Sequence, residues 1–241
     1  MYQKRSNLEG VKRSSPVLST VPGQLYDHTP RGPAWTFENS FRDYCQQGGG
    51  EATWWLQEID RPFEHWSVLA RFQWGEGTDR DHRERRGTPA QEVKFADLGL
   101  EADREYLVFE FWTQTFLGKS KGSFMAPAQD SSNALQVFAI REVRSHPWVL
   151  STTRHISQGG VSLLAEEWDQ AAMTLAGKSA VINGDPYVLT VHVPAGYQLT
   201  GAEAGGVQVE IASQQETATV RIVPAATTTV AWKMMFDPPK P

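Results

Sequence analysis

The 241 residues carry 23 basic and 28 acidic side chains, a net charge of −5, with 40% apolar and 11% aromatic residues. That balance excludes a polybasic nucleic-acid binder, because phosphate recognition wants a cationic surface, and a disordered acidic tail, because the apolar content suffices for a core. The single cysteine, Cys45, excludes an intramolecular disulfide framework and a cysteine-rich zinc site, and no apolar run approaches the ~18 residues of a membrane span.

Met1 to Asn7 has basic residues without an apolar stretch behind them, so it does not read as a signal peptide. Residues 1–51 are polar and broken by Pro16, Pro22, Pro30 and Pro33, and they approach Gly48-Gly-Gly50 without any sustained period. They read as an extended lead-in, in which the segments around Leu25 and Trp35 are the pieces suited to dock. From Trp54 the period becomes two. In Trp66-Ser-Val-Leu-Ala-Arg-Phe-Gln-Trp74, Trp66, Val68, Ala70, Phe72 and Trp74 alternate with Ser67, Leu69, Arg71 and Gln73, the pattern of a half-buried strand. Residues 76–90 interleave opposite charges and read as a solvated loop. Glu105 to Thr113 is apolar on both faces: Leu107, Phe109 and Phe111 on one, and Tyr106, Val108 and Trp112 beside Glu110 on the other. Such a strand expects cover on both sides. Asn133 to Val143 alternates again.

Arg144-Ser-His-Pro147 reads as a seam. Beyond it, Pro186 to Pro194 sets Tyr187, Leu189, Val191 and Val193 on one face, and Thr227 to Phe236 sets Val230, Trp232, Met234 and Phe236 inward. Val207 to Ile211 and Thr217 to Val223 follow the same rule. Asn183-Gly-Asp-Pro186 and Pro194-Ala-Gly196 are strong turns. No amphipathic run competes as a helix. The expected fold is all-β, two antiparallel β-sandwich modules in tandem over 52–145 and 146–237, with the lead-in 1–51 before them and a tail at 238–241.

In chain order, Trp66 to Trp74, Phe95-Ala-Asp-Leu-Gly-Leu100, Glu105-Tyr-Leu-Val-Phe-Glu-Phe-Trp112, Phe116-Leu-Gly118 and Val137-Phe-Ala-Ile-Arg141 resemble the β-domain that follows the catalytic barrel in bacterial α-galactosidase-like (melibiase-type) glycoside hydrolases. Val149-Leu-Ser-Thr-Thr-Arg-His-Ile-Ser-Gln-Gly-Gly160, Trp168-Asp169 and Gly184 to Gly196 are similar to a second β-module found behind it in some of those enzymes. The resemblance spans about residues 52–200 and implies a carbohydrate-enzyme context. It transfers no catalytic residue, because that family's acid pair sits in a (β/α)₈ barrel, which needs about 250 residues and alternating helices.

The implied role is a non-catalytic accessory β-region that packs against a catalytic domain or another copy of itself, with no nucleic acid or membrane as partner. One alternative is a carbohydrate-binding module, in which a sugar's C–H face stacks on an aromatic ring. Trp112, Trp148, Trp168 and Tyr187 are its candidate platforms, with Asp169 and Asp185 as hydroxyl partners. Core or interdomain packing is the plainer use for most of the nine tryptophans. A further alternative is a small glycoside hydrolase, which needs two carboxylates about 5–10 Å apart. Glu110, Glu166, Glu167 and Asp169 are the acids available, and the plainer role for Glu110 is an ion pair with an arginine at a domain contact. Tyr106, Val108, Glu110 and Trp112 together form a candidate interface patch. His155 reads as a loop fastener. No histidine or cysteine spacing suggests a metal, and no cofactor is expected. The compartment is left open.

Overall fold

The computed structural model describes residues 24–26, 35–36, 54–72, 88–129, 135–207, 209–214 and 216–237. The rest of the lead-in, most of the charged 76–90 loop and the tail at 238–241 lie outside the described residues. Among those described, the chain is all-β. Its strands pair antiparallel, and its one helical element is a single 3-10 turn, Phe95–Leu98. No helix among them is long and apolar enough to cross a membrane.

Contacts divide the chain into two units. The first takes the described residues of 21–59 and 66–143, and the second takes 60–65 and those from Arg144 onward. The first unit is built on a seven-stranded sheet. In chain order its strands are β1 (Gln24–Tyr26), β2 (Trp35–Thr36), β3 (Trp54–Arg61), β4 (Glu64–Phe72), β6 (Glu105–Glu110), β7 (Thr115–Lys121) and β9 (Leu135–Glu142), and they lie side by side as β2-β1-β3-β4-β9-β6-β7. A two-stranded sheet of β5 (Gln91–Lys94) and β8 (Ser123–Ala126) completes the unit. Two short pieces of the lead-in thus join the sheet, β1 on β3 and β2 on β1.

The first core lies between these sheets. Trp54, Leu56, Leu69, Tyr106, Val108, Phe138 and Ile140 project from the large sheet onto Val93, Phe95, Leu98, Phe124 and Ala126. Phe95 and Leu98 reach it because the Phe95–Leu98 turn is closed by Gly99 at φ +77°, a conformation glycine adopts without penalty. Trp54 is buried while Trp55 is only half-buried, as alternation along one strand requires.

The opposite face of the sheet is buried as well. Trp66, Val68, Val137, Ala139, Arg141, Leu107 and Phe109 are all enclosed. The half-buried expectation therefore fails for Trp66 to Phe72, while Gln73 and Trp74 lie outside the described residues: the face carrying Ser67, Leu69 and Arg71 is not turned to water. Ser67 and Arg71 on that face have internal partners. Ser67 donates to the Glu58 carboxylate at 2.9 Å. Arg71 donates to the carbonyls of Pro89 at 2.8 Å and Pro127 at 3.2 Å, so it tethers the segments that flank β5 and β8. Burial pushes the Arg71 guanidinium pKa down, and the Trp54 ring 5.3 Å away returns part of that cost as a cation–π contact. Arg141, 0% exposed, lies 3.8 Å from the Trp66 ring centre on the other face.

The second unit is a β-sandwich of two four-stranded sheets. One has the order β10 (Trp148–Thr152), β13 (Tyr187–His192), β16 (Thr217–Ile222), β15 (Val209–Gln214). The other has the order β11 (Leu163–Asp169), β12 (Thr174–Val181), β17 (Thr228–Asp237), β14 (Gln198–Ala204). Tyr187, Leu189, Val191 and Val193 face Val230, Trp232, Met234 and Phe236 across one apolar core, in the alternation read from the sequence. Each large side chain so buried contributes about 1.5–3 kcal/mol. Gly177 on β12 pairs with Trp232 on β17, and a Cβ at Gly177 would meet both the Trp232 ring and the Ala165 carbonyl at 2.3 Å. The indole lies where that Cβ would be, and its Nε1 donates to Ser179 at 2.9 Å.

Candidate functional site

The carboxylates come first, because their geometry decides between chemistry and scaffold. Glu110 closes β6 on the face of Tyr106 and Val108, and it is 2% exposed. One of its oxygens accepts the Val137 amide at 3.0 Å, and the other accepts the Thr113 amide and hydroxyl, each at 2.6 Å. The residue therefore stitches the β6–β7 turn to β9. The ion pair with an arginine expected from the sequence is replaced by backbone donors. Glu166 on β11 accepts the Val149 amide at 3.2 Å and faces Arg144 at 3.6 Å. The same guanidinium faces Glu64 at 3.5 Å and donates to the Phe63 carbonyl. Both carboxylates are deeply buried, and a shared cation between them is what makes that burial tolerable. Sequence reading missed this clamp because Glu64 and Glu166 are about a hundred positions apart. Glu167 is exposed on β11.

Tyr106 and Val108 belong to the core of the first unit, and their cover is local. Val93, Phe95 and Phe124 fill that side, and the Tyr106 ring lies 4.7 Å from that of Phe95. Trp112 is half-buried, set edge-on to Phe111 at 4.9 Å.

The remaining aromatic candidates separate clearly. Trp148 is 0% exposed and lies against His192 at 4.5 Å, so no ligand can stack on it in this conformation. Tyr187 is 1% exposed in the sandwich core, with its hydroxyl 3.2 Å from that of Ser162. Burial pushes its phenol pKa up. Asp185 is held by Arg154 at 2.8 Å. His155 accepts the Ser157 amide at 3.1 Å on Nδ1 and fastens a buried loop, as its sequence context suggested. The Val149 to Gly160 segment thus becomes β10 followed by a polar, buried turn in which Ser151 donates to Gln158.

Trp168 is different. It sits near the end of β11, half-buried, with its indole parallel to the His146 ring at 5.5 Å and edge contacts to Tyr197 and Phe236, each at 5.7 Å. These side chains come from the seam, β11, the turn before β14 and β17. Trp168 Nε1 donates to Gln170 at 3.0 Å. Asp169 accepts the Ala171 and Ala172 amides, each at 2.9 Å, and so fixes the β11–β12 turn. Met173 completes that turn at φ +51°, and its carbonyl accepts the Phe236 amide at 3.0 Å. His146 Nδ1 lies 2.9 Å from the Pro147 carbonyl, which can only accept, so Nδ1 carries the proton. The result is a partly exposed aromatic cluster with amide and imidazole groups at its rim. Among the described residues no group of three His, Cys, Asp or Glu side chains is placed to hold a metal ion.

No protein-family model and no curated protein matches the chain.

Proposed function

We propose that the chain is a non-catalytic accessory β-region of a glycoside hydrolase, which packs against a catalytic domain or a further copy of itself. The observation that carries this reading is the employment of its carboxylates. Glu110 serves backbone amides, Glu166 serves Arg144 and the Val149 amide, and Asp169 serves its own turn. A carboxylate committed to fixed donors is part of a scaffold, whereas a glycosidase needs two that can exchange protons with a substrate. The resemblance to the region behind the barrel of melibiase-type enzymes supplies the context. The segments that carry it fall in β4, the Phe95–Leu98 turn, β6, β7, β9, β10, the end of β11 and β13. Two measurements test the reading. The coding sequence beside this segment should hold an in-frame (β/α)₈ barrel with an acid pair. The chain alone should leave chromogenic galactosides and glucosides intact, and turnover abolished by Glu110→Gln would overturn the proposal in favour of a hydrolase on a β scaffold.

A second reading, carbohydrate binding, is favoured by the Trp168 cluster alone. Titration with galactosides and plant polysaccharides should then change tryptophan emission in the native chain and leave Trp168→Ala silent. Emission unchanged with every glycan removes this reading.

A further inference from the structure

An asparagine that precedes a glycine is a point at which a polypeptide readily reacts with itself, because a residue without a Cβ lets its amide nitrogen reach the asparagine side-chain carbon. Of Asn7, Asn39, Asn133 and Asn183, Asn183 alone precedes a glycine, and it is the one asparagine among the described residues.

The fold sets this pair in the exposed turn between β12 and β13. Across the turn the Asp185 amide donates to the Ile182 carbonyl at 3.1 Å, and Gly184 takes φ +72°. The space around Gly184 is open, with nothing within 4 Å of where a Cβ would stand. Asn183 is held through its backbone. Its N–H donates to Thr227 Oγ1 at 3.1 Å, while its side-chain amide has no partner among the described residues. The turn residues Asp169 and Asp185 are, by contrast, tied down, one by two amides and the other by Arg154. The Gly184 amide donates to the Pro224 carbonyl at 3.3 Å, against roughly 2.9 Å for an ordinary bond of this kind, so its nitrogen is weakly held.

We propose that Asn183 is a self-modification site, which deamidates in the folded chain through a succinimide and leaves an aspartate or isoaspartate in the turn. Hydroxide removes the Gly184 N–H proton, and the nitrogen bonds to Asn183 Cγ. The bond from Cγ to the side-chain nitrogen breaks, and that nitrogen leaves as ammonia after taking up a proton. Water then opens the ring at either carbonyl. Attack at Cγ restores the main chain with an aspartate, and attack at the main-chain carbonyl leaves the backbone running through the side chain. No electrons are exchanged, and water is the one co-reactant. Either product brings a carboxylate close to Asp185, whose own is paired with Arg154 at 2.8 Å. Isoaspartate also adds a backbone atom between Ile182 and Asp185, against the bond that closes the turn. This inference does not depend on the glycoside hydrolase reading.

The test is to age the full native chain at mildly alkaline pH and physiological temperature, with peptide mass mapping and isoaspartyl methyltransferase labelling as readouts. The peptide containing Asn183 should gain the mass of an NH₂-to-OH exchange, faster as pH rises, and part of the product should accept the methyl label. Asn183→Gln should lose both signals, and Gly184→Ala should slow them severalfold, each with an unchanged near-UV circular dichroism spectrum. A chain that keeps its original mass at Asn183 while folded and gains it only in urea would overturn the proposal. So would a gain without isoaspartate, or one equally fast in Gly184→Ala.

Discussion

The two units solve the same problem in different ways. The second distributes its strands evenly between two sheets around one apolar core, and the polar side chains it encloses are chiefly uncharged, Ser151, Thr152, Ser162, Ser179 and Thr190 among them. The first puts most of its strands into one wide sheet and encloses both faces, and it uses Arg71, Arg141 and Glu110 as internal fasteners. The difference lies in the charge of the enclosed polar groups. Strand positions that would be wetted in a sandwich must there find an internal donor, acceptor or aromatic ring.

The sharpest way to break the comparison is steric. Gly177→Ala forces a methyl group into the Trp232 ring and the Ala165 carbonyl at once. It should cost about 3 kcal/mol, at the upper end of overpacking effects. Hydrogen exchange should show lost protection in β11, β12 and β17 with the first unit unaffected. Next in size, Glu110→Gln keeps the shape but turns an NH₂ group toward a backbone N–H. It should cost about 2 kcal/mol, the worth of charge-assisted bonds, read as a lower urea midpoint with faster exchange in β6 and β9. The smallest effect sharpens the role of the uncharged polar groups enclosed in the second unit. Tyr187→Phe should cost about 1 kcal/mol at neutral pH. Because burial raises the Tyr187 pKa above its ordinary 10.0, the unfolded chain ionises first as pH rises. The contribution of this phenol is therefore complete below pH 10 and lost as the pH climbs from there through the folded value. Denaturation midpoints should fall more steeply above that pH in the native chain than in Tyr187→Phe.

Part of the second unit was legible, since a face turned to an apolar core leaves its period in the residues. The inward sets of β13 and β17 and the turns at Gly184 and Gly196 follow from alternation and turn chemistry alone. The first unit was legible as strands but not as faces. Its cover comes from short segments, Gln91–Lys94 and Ser123–Ala126, too brief to carry a period, so Arg71 read as a solvated residue. The candidate site was half visible. Alternation cannot tell Trp148, fully enclosed, from Trp168, half open, because their surroundings come from distant parts of the chain. The clustering of His146, Trp168, Tyr197 and Phe236 is likewise a product of topology.

Among the described strands, β15 pairs with β16 alone, and an edge so placed can take up another extended polypeptide, native or not. While half-folded molecules are abundant, during synthesis or refolding, Val209–Gln214 offers a seed for runaway stacking into fibres. Recovery of the protein should therefore depend more on dilution, and on a gatekeeping charge at position 211, than on the strength of either core.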